Sequence, residues 1–280
     1  MRGSRNRDPA ENATTFPAEP LSGPCPGRPG RTRPQERGSA IDRRDAAALD
    51  DPVGESLRSR HAHFARRHGR AVTYLPAVAT FSAVTADPAP QAWADLAQLL
   101  GPGEFADMFG CTATPPPDWE PVFTLEGRQM IWARSSVSDH SGDGTGVVEL
   151  GADDVSEMRE LVAQTRPGPF WPRTHELGCY LGIRENGRLM AMAGERLRPP
   201  GWTEISAVCT APEARGRGHA ARVVTALVAG ITARGERPFL HVGREEHRCD
   251  RPVRATRLPD TQARDLSGLP HAVTTNLTTH

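Results

Sequence analysis

The residues best suited to chemistry in this sequence lie between Ile205 and Ala233. An alternating run, Ile205-Ser-Ala-Val-Cys-Thr210, passes through Ala211-Pro-Glu-Ala214 into Arg215-Gly216-Arg217-Gly218-His219-Ala220. A helical pattern follows, with Val223, Val224, Leu227 and Ile231 on one face. Small residues let a backbone approach a ligand closely, and the free N–H groups of a helix start bind anions together with the helix dipole. Arg215 and Arg217 add charge complementary to a pyrophosphate. The loop therefore reads as a phosphate cradle at the end of a strand, against the alternative of a tight strand-to-helix connection. A P-loop is excluded because no Gly-Lys-Ser/Thr follows, and the glycine spacing does not suit a dinucleotide-binding βαβ unit.

The elements that must position this loop are legible on both sides of it. Val147–Leu150 reads as a strand, and Asp153 and Asp154 can cap a helix running through Met158, Leu161 and Val162 until Pro167-Gly-Pro169 breaks it. Residues 179–183 and 188–193 form a hairpin about Asn186-Gly187, a pair that suits a type I′ turn because both tolerate positive φ. Pro199-Pro-Gly201 makes a second turn, residues 203–209 a third strand, residues 220–233 a helix and residues 239–242 a fourth strand. The order β-α-β-β-β-α-β predicts an α/β fold with a mixed, mostly antiparallel sheet, a meander closed by a β-α-β crossover.

Ahead of this unit, residues 46–134 form a different α/β half. Val53, Leu57, His61 and Phe64 recur at helical spacing, Ala71–Tyr74 reads as a strand, and Pro90 opens a helix through Leu100 that Gly101-Pro-Gly103 stops. Residues 129–132 are a further strand, and the Ser/Gly/Asp-rich residues 135–146 read as an interdomain linker.

Composition bounds the rest. With 26 Pro, 27 Gly and 5% aromatic residues among 280, not all of the chain has the material for a core. The deficit concentrates in residues 1–45, rich in Arg, Pro and Gly and expected to be disordered. Glu11, Glu19 and Glu36 interleave with the arginines there, which weakens the case for a nucleic-acid-binding arm. Zero net charge and an isoelectric point near 7.2 give no support to nucleic-acid or membrane partners. No apolar run approaches the roughly 18 residues of a membrane span, and no apolar segment follows the basic start as a secretory signal would require. Five cysteines without a C-x-x-C pair favour reduced thiols and a cytoplasmic setting, and His61 with His63 lacks the second ligand pair of a metal site.

The loop closely resembles motif A of the GNAT N-acyltransferase superfamily, which reads R/Q-x-x-G-x-G/A; Arg215, Gly218 and Ala220 match it. Glu-Ile-Ser-Ala-Val-Cys-Thr before the loop, Pro-Phe-Leu-His-Val after it, Arg173-Thr174-His-Glu-Leu-Gly178 and Ala191-Met-Ala-Gly-Glu-Arg196 resemble one bacterial branch, and the likeness spans about residues 147–242. The resemblance implies a GNAT fold and acetyl-CoA as co-substrate, with an amine of a small molecule or peptide attacking the thioester directly. It places the cofactor on Val208, Cys209 and Thr210 at the strand and on Arg215, Gly216, Arg217, Gly218, His219, Ala220 and Ala221 at the loop. Backbone groups of Val208 and Thr210 would hold the pantetheine, while Cys209, pointing the other way, is a core thiol. Glu204 stands where several family members supply a carboxylate base, with an ordinary solvent-facing strand residue as the alternative. Glu195 is either a carboxylate neighbour that would raise one pKa or a partner of Arg196 or Arg198, and Arg173 and His175 are surface-loop residues that could line the acceptor cleft.

Past Val242 the chain departs from that pattern. The family expects an Asn, an Ala-Ile, a Leu-Tyr-Glu and a Leu-Gly-Phe, whose Tyr often protonates the leaving thiolate, where this sequence has an arginine-rich run without apolar period. Codons for residues 243–260, read one base later, permit Val-Glu-Lys-Asn-Thr-Gly-Ala-Ile-Ala-Leu-Tyr-Glu-Arg-Leu-Gly-Phe-Arg. A frameshift near Gly243 would account for the departure. It leaves residues 243–280 as an aberrant tail expected to be disordered, deprives the fold of its normal C-terminal strands and exposes the edge of residues 239–242. A catalytically impaired acyl-CoA-binding protein is the function this alternative would leave.

Overall fold

The computed structural model describes residues 46–85, 88–111, 113–124, 127–132, 146–243, 261–263 and 273–277. Residues 1–45 and nearly all of the linker at 135–146, expected respectively to be disordered and to separate two halves, lie outside them.

The second half follows the predicted order. Strand β7 (Val147–Leu150) leads through a 3-10 turn into α3 (Val155–Thr165), and the Asp154 carboxylate accepts from the Gly151 N–H at 2.8 Å. Strands β8 (Tyr180–Glu185), β9 (Arg188–Glu195) and β10 (Trp202–Thr210) form an antiparallel meander; α4 (His219–Ala233) then crosses over to β11 (Arg237–Gly243), which runs parallel to β10. Asn186 and Gly187 sit at φ of 51° and 81°, the two positive angles that a type I′ turn requires.

The two faces of the meander bury different helices because strand side chains alternate. Ile183, Ala193 and Ile205 meet Val223, Leu227, Val228 and Ile231 of α4. Met190, Met192 and Cys209 meet Met158 and Leu161 of α3 on the other face. Each fully buried side chain of this kind contributes about 1.5–3 kcal/mol.

The first half contributes α1 (Pro52–Arg58), β1 (Ala65–His68), β2 (Ala71–Tyr74), β3 (Ser82–Ala83), α2 (Pro90–Leu100), β4 (Phe105–Met108), β5 (Trp119–Thr124) and β6 (Gly127–Trp132). The helical spacing of Val53 and Leu57 is realised in α1, but His61 and Phe64 fall in turns beyond its end. Val53, Leu57, Tyr74 and Phe81 pack in one cluster with Leu197, Trp202 and Phe239, so the two halves share a core.

Strand exchange strengthens that union. Strand β6 leaves its own half and pairs antiparallel with β11 from Phe239↔Ile131 to Gly243↔Gly127. The edge of β11, expected to be bare, is therefore covered from the first half; a paired edge satisfies backbone groups that would otherwise template aggregation. Of the tail at 243–280, expected to be disordered, the described residues beyond β11 are β12 (Thr261–Ala263), which pairs with the outer side of β6, and β13 (Val273–Leu277), which lies between β4 and β5. The strand order of the main sheet is thus β12-β6-β11-β10-β9-β8-β7. One cysteine departs from expectation as well: Cys111 and Cys209 are free, whereas Cys179 is disulfide-bonded.

Candidate active site

Strands β10 and β11 hold a parallel register only as far as Glu204↔Phe239 and then diverge. Beyond that point β10 carries a bulge between Ser206 and Cys209, where Ala207 adopts φ of 52°. A non-glycine residue in this region costs about 1–2 kcal/mol and re-aims the strand. The result is a fork. Val208 is left 38% exposed beside it, while Cys209 stays in the core, where burial pushes its thiol up to about 11. The opposed directions expected for these two side chains are observed.

The chain then turns through the 3-10 segment Pro212–Ala214, and Arg215 is extended. Gly216 and Gly218 take φ of 80° and 77°, and nothing lies within 4 Å of a Cβ built on either. Glycine is needed there for backbone conformation rather than for space. Gly218 caps α4, whose first-turn N–H groups lack intrahelical partners and face out of the loop end.

The loop is tied down by Glu185, which sequence reasoning did not single out. Its carboxylate lies 2.8 Å from Arg217 Nη1 and 3.0 Å from His219 Nε2; the hydrogen bond from His219 and the charge of Arg217 hold it below the usual carboxylate range. Arg217 also donates to the Glu213 carbonyl at 2.9 Å. His219 is accordingly a buried packing residue, and Arg215 is the exposed cation of the loop, without an ion pair among the described residues.

Glu204 differs from the base it was expected to be. It is fully buried, and Arg196 grips both of its oxygens, with Nε at 2.8 Å and Nη2 at 2.6 Å. His241 Nδ1 lies 2.7 Å from Oε1. Burial alone would raise this carboxyl, but the charge and hydrogen bonds of Arg196, reinforced by His241, hold it at about 2. A carboxylate so stabilised is a poor proton acceptor. Arg196 itself stacks against two rings of the first half, Phe81 at 5.2 Å and Phe109 at 4.7 Å, and Phe109 also meets the His241 ring at 4.7 Å.

Glu195 is not a neighbour of Glu204. Its cross-strand partner is Ile205, so its side chain lies on the α4 face and binds Arg234 at 2.6 Å rather than Arg196 or Arg198. Arg198 pairs with Glu236 instead. Arg173 is exposed and engaged twice by Glu176, and His175 shares its 3-10 turn, which docks on the first half through Thr174 Oγ1 donating to the Val78 carbonyl at 2.8 Å. On the α4 face of the fork an apolar cavity of about 120 Å³ is lined by Met130, Trp132, Ile205, Val224, Val228 and Leu240, among others.

The β-α-β-β-β-α-β unit with a forked parallel pair, a glycine loop and a helix N-terminus is the α/β arrangement that the resemblance to the GNAT superfamily implies. The FR47-like family model matches residues 180–251. A crystal structure assigned to the GNAT acetyltransferases, from Novosphingobium aromaticivorans DSM 12444, is 36% identical with a TM-score of 0.67, covering 82% of this chain and 99% of its own. A GCN5-related N-acetyltransferase from Kribbella flavida is 17% identical with a TM-score of 0.48, covering 82% and 96%. No curated protein matches the sequence. This chain belongs to the GNAT family of acetyltransferases.

Proposed function

We propose that the protein transfers an acetyl group from acetyl-CoA to a primary amine in a ternary complex, without an acyl-enzyme. The fork between β10 and β11 carries this reading, because it opens a backbone edge in line with the loop and the N-terminus of α4. Extended pantetheine carries amide groups that match a bare strand edge, and backbone groups of Val208 and Thr210 are the ones we assign to it. Backbone N–H groups from Gly216 to Ala221, with Arg215, would hold the pyrophosphate. When bound, acetyl-CoA supplies the electrophilic thioester carbonyl; the chain orients it and excludes water. The acceptor would approach from the side of the first half. Among the described residues no helix is long and apolar enough to cross a membrane, and a cytoplasmic setting is part of this reading.

Calorimetric titration with acetyl-CoA and release of free thiol with a panel of primary amines test it. Absence of heat with acetyl-CoA would refute the cofactor site.

A second reading is favoured by one observation. The chain has two tyrosines, Tyr74 and Tyr180, and both are buried with their hydroxyls pushed up by burial. Neither stands ready to protonate a leaving thiolate, as an acyl-CoA-binding protein of impaired activity would have it. The shifted-frame segment would restore a tyrosine. Sequencing the coding DNA decides between the frames, and acetyl-CoA binding without thiol release would support the impaired form.

A further inference from the structure

At the closed end of the fork the two faces of the sheet differ in polarity. The face covered by the first half carries the buried ion pair of Arg196 and Glu204. The α4 face carries the apolar cavity of about 120 Å³. We propose that this cavity is an acyl-chain subsite, so that the donor extends beyond acetyl-CoA to straight-chain acyl-CoA thioesters as long as hexanoyl. This rests on the acetyl-CoA reading of the fork.

The cavity follows from strand alternation at the flank of a helix. Ile205 of β10, Leu240 of β11 and Met130 and Trp132 of β6 share one face of the sheet, opposite to Glu204, Phe239 and Ile131. Helix α4 packs on Ile183, Ala193 and Ile205 through Val223, Leu227 and Ile231. Its Val224 and Val228 form the wall toward β11, and past that wall Met130, Trp132, Leu240 and Val242 stay half-buried. Every residue that lines the cavity is apolar. Such a cavity stays dry and takes apolar guests.

Position and size name the occupant. The cavity reaches Ile205 and Phe239, beside Glu204↔Phe239, the last pair before β10 and β11 part. A pantetheine arm that runs down the fork from the glycine loop delivers its thioester to this rim. A chain beyond the carbonyl then finds the α4 face apolar and the other face filled by an ion pair, whose desolvated charges an alkyl chain cannot satisfy. A cavity of about 150 Å³ admits benzene, so one of about 120 Å³ admits roughly the four carbons that separate hexanoyl from acetyl.

The transfer is the same for every chain length. The amine nitrogen forms the C–N bond at the thioester carbonyl, and the C–S bond breaks with its electron pair on sulfur. Of the two protons that the acceptor ammonium loses, one ends on the thiolate and one in solvent. The products are one amide, one thiol and one released proton.

Calorimetry of the full chain with acetyl-, butyryl- and hexanoyl-CoA tests the subsite without needing an acceptor. Each fully buried methylene strengthens binding roughly fourfold, and half-buried walls give part of that. Hexanoyl-CoA should therefore bind at least about tenfold more tightly than acetyl-CoA, with butyryl-CoA between them. Val224→Phe puts a ring into the cavity and should shrink the difference below about threefold. Equal affinities in the wild type, or a variant that keeps the full difference, overturn the proposal alone. A wild type that binds none of the three overturns the reading of the fork, and this proposal with it. A dimer in sedimentation that Val224→Phe dissociates and hexanoyl-CoA does not would put a second copy of the chain on this face, and also overturns it. Where the variant does not fold, spectra of the wild type labelled at the methionine methyls serve, with Met130→Leu to assign the signal. A Met130 methyl that moves with hexanoyl-CoA and not with acetyl-CoA supports the subsite, and one that responds alike to both overturns it.

Discussion

The loop from Arg215 to Ala220 and the cluster of Arg196, Glu204 and His241 flank the same fork but are built on opposite principles. The loop is local: its shape follows from two glycines at positive φ and the start of one helix, and its charges are exposed. The cluster is assembled from β10, β11 and the chain beyond β9, then sealed by two rings of the other half. A local loop of this kind can lose a contact and stay folded. A buried ion network cannot, because the remaining charge has no water to turn to.

Variants should separate the two. Glu204→Ala leaves the Arg196 guanidinium buried without its carboxylate and should cost about 3–5 kcal/mol, read as a fall in the urea midpoint. If the midpoint hardly moves, the cluster is less sealed than its geometry indicates. Acid should reach the same interface through His61, whose ring lies between the Tyr74 hydroxyl at 2.8 Å and the Leu177 carbonyl at 3.0 Å. Burial lowers His61 from 6.5 to about 4. The unfolded chain therefore binds the extra proton first, so the stability this neutral ring contributes is complete above pH 6.5 and is lost as pH falls toward 4. The loss is on the order of 3 kcal/mol, and His61→Gln should flatten the dependence measured by denaturation at the two ends of that window.

Loop variants should act the other way round. Gly218→Val forces a β-branched residue to φ of 77° and should weaken acetyl-CoA binding at least tenfold, for about 1–2 kcal/mol of stability. Arg215→Ala removes an exposed cation and should weaken acetyl-CoA about tenfold with the melting temperature unchanged. Should either variant unfold the protein while its acetyl-CoA affinity survives, the division between region and role would be wrong. The smallest effect is expected at the far hairpin, where Asn186→Ala at φ of 51° should cost about 1 kcal/mol of stability and nothing in binding.

What was legible in the sequence follows this division. The Asn186-Gly187 turn, the helix stop at Gly101 and the glycine loop before α4 depend on residue types within a few positions of one another, and each stands where the residue pattern puts it. Glu204 was legible as a residue of interest but not in its role, since its partner Arg196 lies eight positions away on the neighbouring chain segment and His241 lies 37 away. The pairing of Glu195 was misjudged for a related reason. Register decides which face a strand residue occupies, and a single register step sends it to the opposite layer.

By itself the sequence determined the order of elements, the conformationally demanding turns and the glycine loop ahead of α4, because short-range backbone preferences and side-chain periodicity are encoded residue by residue. Only the tertiary structure decided that β6 covers the edge of β11, that Glu204 is locked to Arg196, and that His241 stands between Glu204 and Gln129. Those outcomes depend on which distant backbone edges and charges meet once water is excluded, and no window of sequence contains both partners.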